Sequence, residues 1–142
     1  MTKKKFETGF DKDLRFGLER ENRIVAILDA KKTKAEIKTE RDWWQKTGNI
    51  AIEISCNGKE SGIMVTKADW WIHILADGDK DVCRLIFDTS TVKKLAKNYK
   101  HTLRSGGDGG RSRFVLVPLS ELFSPKNLLN NKRTNPMNEG TD

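Results

Sequence analysis

The apolar residues change period along the chain, and each change marks an element. Leu14, Leu18, Val25 and Leu28 fall at helical spacing, with Ile24 and Ile27 beside them, the stripe of a helix with one apolar face. Asp11 or Asp13 is placed to cap that helix from near residue 12, with acid in the first turn where the macrodipole favours it. A strand over Arg23 to Asp29 is the alternative, because Ile-Val-Ala-Ile-Leu is also a buried-strand composition and so short a run does not separate the two. From Ala35 the period falls to two. Glu36, Lys38 and Glu40 share one face of a predicted strand, and Ala35, Ile37 and Thr39 share the other. Ile50 to Ser55 alternates again, with Ile50, Ile52 and Ile54 on one side and Ala51, Glu53 and Ser55 on the other.

The remaining pattern is shorter-ranged. Arg41 to Asn49 reads as a long turn carrying Trp43 and Trp44 and closing on Thr47-Gly48-Asn49. Asn57-Gly58 is a hairpin signal. Thr66 to Asp69 predicts a cap and a helical turn bearing Trp70 and Trp71, followed by a buried strand over Ile72 to Leu75. Asp77 to Lys80 turns the chain into a strand over Val82 to Phe87. Asp88 to Ser90 caps a helix from Thr91 to His101, with Val92, Leu95, Ala96 and Tyr99 inside. A glycine-rich loop runs from Arg104 to Arg113, Phe114 to Val117 is a last strand, and Leu119 to Phe123 is a short helix or edge. The expected fold class is α/β, a single domain with a central mixed sheet flanked by helices. Residues 1–10 form a basic flexible leader, 11–123 the domain, and 124–142 a disordered polar tail.

Composition narrows the partners. With 142 residues the chain can bury a real core. No apolar run approaches the roughly 18 residues of a membrane span, and the lysines at the N-terminus precede no apolar stretch of a secretory signal. The expectation is a cytoplasmic protein with no membrane partner. Cys56 and Cys83 are isolated, lack metal-ligand spacing and read as reduced thiols. The net charge of +7 favours a polyanion, nucleic acid first, through phosphate neutralisation and counterion release. Lys93, Lys94, Lys97, Lys100 and Arg104 form a basic face that Arg111 and Arg113 continue, suited to phosphate contacts with DNA or to plain solvation. Trp43 and Trp44 split between core and surface, or stack on unpaired bases. Trp70 and Trp71 belong to the core, His73 is a satisfied core histidine, and His101 lies on the surface. There is no Ser/His/Asp arrangement, phosphate-binding glycine loop or zinc spacing.

The chemistry rests on Glu36 and Lys38. A carboxylate and an amine on one strand face are the minimal unit of a metal-dependent phosphodiesterase. Consecutive strands pair antiparallel, so Glu36 is expected to face Glu53 across neighbouring strands. A divalent cation between them removes the repulsion, and hard oxygen ligands with retained water suit Mg²⁺ or Mn²⁺. Asp29 and Glu21 are candidates for further ligands. Glu21 sits on the apolar stripe, where an ionised carboxylate is costly unless paired or bound to a cation; at the stripe's edge it is simply solvated. Against this stand plainer roles: a Lys38–Glu53 salt bridge, a solvated Asp29, and Glu40 and Asp42 as surface charges.

The tract Glu36-Ile-Lys-Thr-Glu, then Gln45-Lys-Thr-Gly-Asn-Ile-Ala-Ile-Glu53, Ser61-Gly-Ile and Thr66-Lys-Ala-Asp-Trp-Trp resembles a set of small phage proteins of the PD-(D/E)XK nuclease superfamily. The resemblance covers residues 11 to 117. It implies a Mg²⁺-dependent DNA endonuclease with a restriction-endonuclease-like αβββαβ core. It assigns Glu36 and Lys38 as the catalytic (D/E)-x-K pair, and 5′-phosphate and 3′-hydroxyl products. The first helix, with Glu21 before Ile24, Val25 and Leu28, resembles the helix supplying a catalytic glutamate in the Holliday-junction-resolvase branch. That implies branched or structured DNA as substrate, phage DNA recombination or processing as the setting, and a homodimer for paired cuts. The superfamily's separate first aspartate has no Pro-Asp counterpart here. Asp29, only seven residues ahead of Glu36, or Glu53 takes that place. A non-catalytic DNA-binding protein on the same fold is the alternative.

Overall fold

The structure, a computed structural model, describes residues 8–29 and 34–129. The chain divides into two units, residues 1–34 and 35–142.

The first unit holds helix α1 (Gly9–Leu28). Its N-cap is Thr8, not Asp11 or Asp13. The Thr8 hydroxyl accepts from the Asp11 N–H at 3.1 Å, and the Asp11 carboxylate accepts from the Thr8 N–H at 3.1 Å and the Thr8 hydroxyl at 2.7 Å. A hydroxyl three residues ahead of an acid satisfies two orphan N–H groups at once, which a lone aspartate cap does not. These bonds, the side-chain one foremost, hold the Asp11 carboxyl below its usual range. The cap's contribution is therefore complete above the usual carboxylate range and is lost as the pH falls through the lowered value of Asp11. The leader expected over residues 1–10 thus ends earlier; residues 1–7 lie outside the described part. Helix α1 continues through Arg23 to Leu28, which excludes a strand there. Ile27 is its buried residue, while Leu14, Leu18, Val25 and Leu28 are exposed.

The second unit confirms the α/β class. One sheet is mixed: β1 (Ala35–Glu40) runs parallel to β4 (Trp70–Asp77), which pairs antiparallel with β5 (Lys80–Asp88). The other is antiparallel, in the order β3 (Lys59–Glu60), β2 (Asn49–Cys56), β7 (Ser112–Pro118), β6 (Arg104–Gly106). The helices are α2 (Trp43–Thr47), α3 (Thr89–Asn98), α4 (Leu119–Leu122) and α5 (Pro125–Leu128). Of the tail expected over residues 124–142, Pro125–Leu128 instead form helix α5, tied by the Asn127 amide donating to the Glu121 carboxylate at 3.0 Å and to its carbonyl at 2.8 Å, and residues 130–142 lie outside the described part. Trp70 and Trp71 open β4 rather than a helical turn; aromatic residues fit a pleated, half-buried surface. Asn57 and Gly58, at φ 53° and 76°, make the two-residue turn between β2 and β3.

The core lies between the sheets and α3. Ile50 and Ile52 of β2, Val115 and Val117 of β7, Trp71 and Leu75 of β4, and Val92, Leu95 and Ala96 of α3 form one cluster. Alternation then turns Ala51, Glu53, Phe114 and Leu116 to the opposite face of the antiparallel sheet.

A charged residue ties the sheets together. Trp71 and His73 point inward from β4. The Trp71 indole N–H donates to His73 Nδ1 at 3.1 Å. With Nδ1 accepting, the ring proton is on Nε2, which donates to Glu40 Oε1 at 2.9 Å. The same oxygen accepts the Ala51 N–H on the open edge of β2 at 2.6 Å. Glu40 thus supplies the acceptor that a neighbouring strand would otherwise provide. It is not a surface charge: its side chain is 16 % exposed.

Glu40→Ala leaves two inward donors unpaired and should destabilise the protein by about 2–5 kcal/mol, whereas Glu40→Gln, which keeps a carbonyl acceptor, should retain most of the stability. Urea denaturation measures both. A Cβ at Gly62, at φ 55°, would run into the Glu53 carbonyl. Gly62→Ala should therefore cost more than the roughly 1–2 kcal/mol of the left-handed backbone alone, in the same assay.

Candidate active site

Strand β1 carries its charges inward. Its register sets Glu36, Lys38 and Glu40 beside Trp71, His73 and Leu75, three buried residues of β4. Ile37 on the opposite face is 59 % exposed. A strand that exposes isoleucine and turns three charged residues inward breaks ordinary patterning, and such breaks concentrate at functional sites.

Glu36 does not face Glu53 across paired strands. Strand β1 pairs with β4, and β2 with β7 and β3. The reason lies in the connection. Residues 41–48 do not form a tight hairpin but contain α2, whose Trp44 donates its indole N–H to the Ala76 carbonyl near the end of β4 at 2.8 Å. The chain is thereby led out of one sheet into the other. This also divides the tryptophans as expected: Trp44 packs against the core and Trp43 is 71 % exposed.

Residues of both sheets still line one space. A cavity of about 230 Å³ is lined by Lys38, Thr39, Glu40, Ala51, Glu53 and Phe114. Lys38 Nζ lies 2.8 Å from Glu36 Oε1, so the pair expected on one face is an ion pair, half exposed. Lys38 Nζ also sits 5.8 Å from the centre of the Trp71 ring. On the far wall, Glu53 Oε2 accepts the Ser61 hydroxyl at 3.1 Å. A β-bulge after Glu53 breaks the regular register with β7.

A second cavity, of about 550 Å³, adjoins the first and shares Glu40, Ala51 and Phe114 with it. Trp43, Thr47, Asn49, Arg104, Ser105 and Leu116 complete its lining. Glu53, Phe114 and Arg104 lie in one row across β2, β7 and β6. Directly paired residues of antiparallel strands share a face, so Arg104 turns toward the cavities. The basic face is therefore split. Helix α3 packs Val92, Leu95 and Ala96 onto the core, on the other side of the sheet. Lys94, Lys97, Lys100, Arg111 and Arg113 are exposed, Lys93 is half-buried, and of this set Arg104 alone lines the cavities.

Glu21 is exposed on α1, and Asp29 is the C-cap of the same helix, its N–H donating to the Val25 and Ala26 carbonyls. Both belong to the first unit. Among the described residues, no three His, Cys, Asp or Glu side chains converge closely enough to hold a metal ion. One oxygen of Glu40 accepts from both His73 and Ala51; Glu53, lining the cavity, and Glu36, bonded to Lys38, are the sequence-predicted carboxylates that would hold Mg²⁺ or Mn²⁺. Two hard-oxygen residues fit Mg²⁺ in kind and number when water and a substrate phosphate supply the rest. Glu40 could have been found in the sequence, since it shares the parity of Glu36 and Lys38. His73, set in an apolar strand, announced that it needed a partner but not which one.

His73 is fully buried, and His101 is exposed, as expected. Cys56 and Cys83 are free thiols. No described helix is long and apolar enough to cross a membrane. The chain matches no family model, no curated protein and no solved structure.

Proposed function

We propose that the protein is a metal-dependent endodeoxyribonuclease that hydrolyses phosphodiester bonds at the cavity between β1 and β2. The observation that carries this reading is that Lys38 and Glu53, contributed by different sheets, line one small cavity, with Glu36 bonded to Lys38. An amine beside a phosphate offsets its charge and orients an attacking water. Arg104, on the same face as Glu53, supplies a further contact for a backbone phosphate. Glu36 and Glu53 would hold the cation. When bound, Mg²⁺ or Mn²⁺ lowers the pKa of water and stabilises charge developing on the phosphoryl oxygens. The net charge of +7 supports DNA as the partner.

A second reading is a DNA-binding protein without catalysis. The Glu36–Lys38 ion pair and the absence of a converged metal-ligand trio among the described residues favour it. Calorimetric titration with Mn²⁺ separates the two: saturable binding that Glu36→Gln removes supports the nuclease, and no such binding supports the alternative.

The direct test is incubation with Mg²⁺ and linear, flapped, single-stranded and four-way-junction DNA. Glu36→Gln, Lys38→Ala and Glu53→Gln should each lower cleavage by about 100-fold or more while DNA affinity in EDTA is largely kept. Cleavage at the wild-type rate in the first two overturns the site.

A further inference from the structure

We infer that the larger cavity is a seat for an unpaired nucleobase, placed one step along the strand from the phosphate at Lys38. The inference rests on the nuclease reading and names its substrate class: DNA that carries unpaired nucleotides. Three observations converge on it. The cavity, at about 550 Å³, falls in the size range of small-ligand sites, with an apolar wall from Phe114, Leu116 and Ala51 and polar groups from Asn49 and Arg104. Trp43 at its rim is 71 % exposed, although Trp71 is almost wholly buried and Trp44 packs on the core. An indole left in water beside a cavity with an apolar wall provides a stacking surface, and base–aromatic stacking is insensitive to base identity. The cavity also shares Glu40, Ala51 and Phe114 as walls with the Lys38–Glu53 cavity.

Charge complementarity selects the occupant. Lys46 Nζ lies 5.4 Å from the centre of the Trp43 ring. Arg104 spends one guanidinium nitrogen on the Leu103 and Thr102 carbonyls, at 2.9 and 3.4 Å, and keeps donors for a phosphate. An apolar seat with Arg104 in its lining and Lys46 beside Trp43 matches a base flanked by backbone phosphates. A base inside a duplex has both faces covered by its neighbours and cannot enter, so the seat takes single strands, flaps and junction arms with open pairs.

The test measures DNA binding in EDTA, where cleavage plays no part. Wild type, Trp43→Ala and Trp43→Phe are titrated with a single-stranded oligodeoxynucleotide and with a blunt duplex, and circular dichroism confirms that each variant is folded. Trp43→Ala should weaken single-strand binding by about 5- to 150-fold, the range of one lost stacking contact. Trp43→Phe should restore most of it, and duplex affinity should change little. Wild-type tryptophan emission should be quenched by the single strand, with that quenching lost in Trp43→Phe. An equal loss for both DNAs, or none for the single strand, overturns the seat. Selective single-strand binding without cleavage of any DNA would instead overturn the nuclease reading and leave the seat in place.

Discussion

One carboxylate oxygen, Glu40 Oε1, accepts two hydrogen bonds from groups in different sheets, the His73 ring and the Ala51 backbone. The candidate site depends on that junction. Strand β1 is an edge strand paired only to β4, and β2 leaves its Ala51 edge unpaired by strands. Without an acceptor between them, an inward backbone N–H and a buried imidazole N–H would both go unsatisfied, each at a cost of about 1–3 kcal/mol. Because Glu40 lies two residues beyond Lys38 on the same face, anchoring it holds that face of β1 toward the antiparallel sheet.

The same constraint explains why the site is charged. Strand β4 fills its inner face with Trp71, His73 and Leu75, and β1, lying parallel beside it, offers Glu36, Lys38 and Glu40 to that side. These three find different solutions to burial. Glu40 is tied down by hydrogen bonds, while Glu36 and Lys38 neutralise one another at 2.8 Å in a half-exposed position. A half-exposed ion pair contributes little to stability. Its partners can therefore exchange one another for a cation and a phosphate at little cost, which is what the proposed chemistry requires.

The two cavities lie along one face of the antiparallel sheet, and the proposed recognition would be divided between them. Phe114 stands in both linings, with Glu53 beside it on β2 and Arg104 beside it on β6. A strand of DNA laid over this row meets carboxylate, aromatic ring and guanidinium in turn. The lysines of α3 lie outside it, and any phosphate contacts they make belong to a different surface from Arg104.

Much was legible from local pattern. Period-two alternation put Glu36, Lys38 and Glu40 on one face; Asn57-Gly58 marked its hairpin; Val92, Leu95 and Ala96 marked the inner side of α3; and His73 was read as a core residue. These features depend on neighbours a few residues away, where steric preference and period are decisive. Pattern alone could not say which face of β1 points inward, because alternation assigns sides without ranking them, and Ile37 argued for the wrong one. Nor could it show that β1 and β2 do not pair, or that Arg104 lines a cavity the lysines do not. Those relations rest on strand pairing and on hydrogen bonds such as Glu40 to His73, 33 residues apart. Contacts of that kind exist only once the chain has closed on itself.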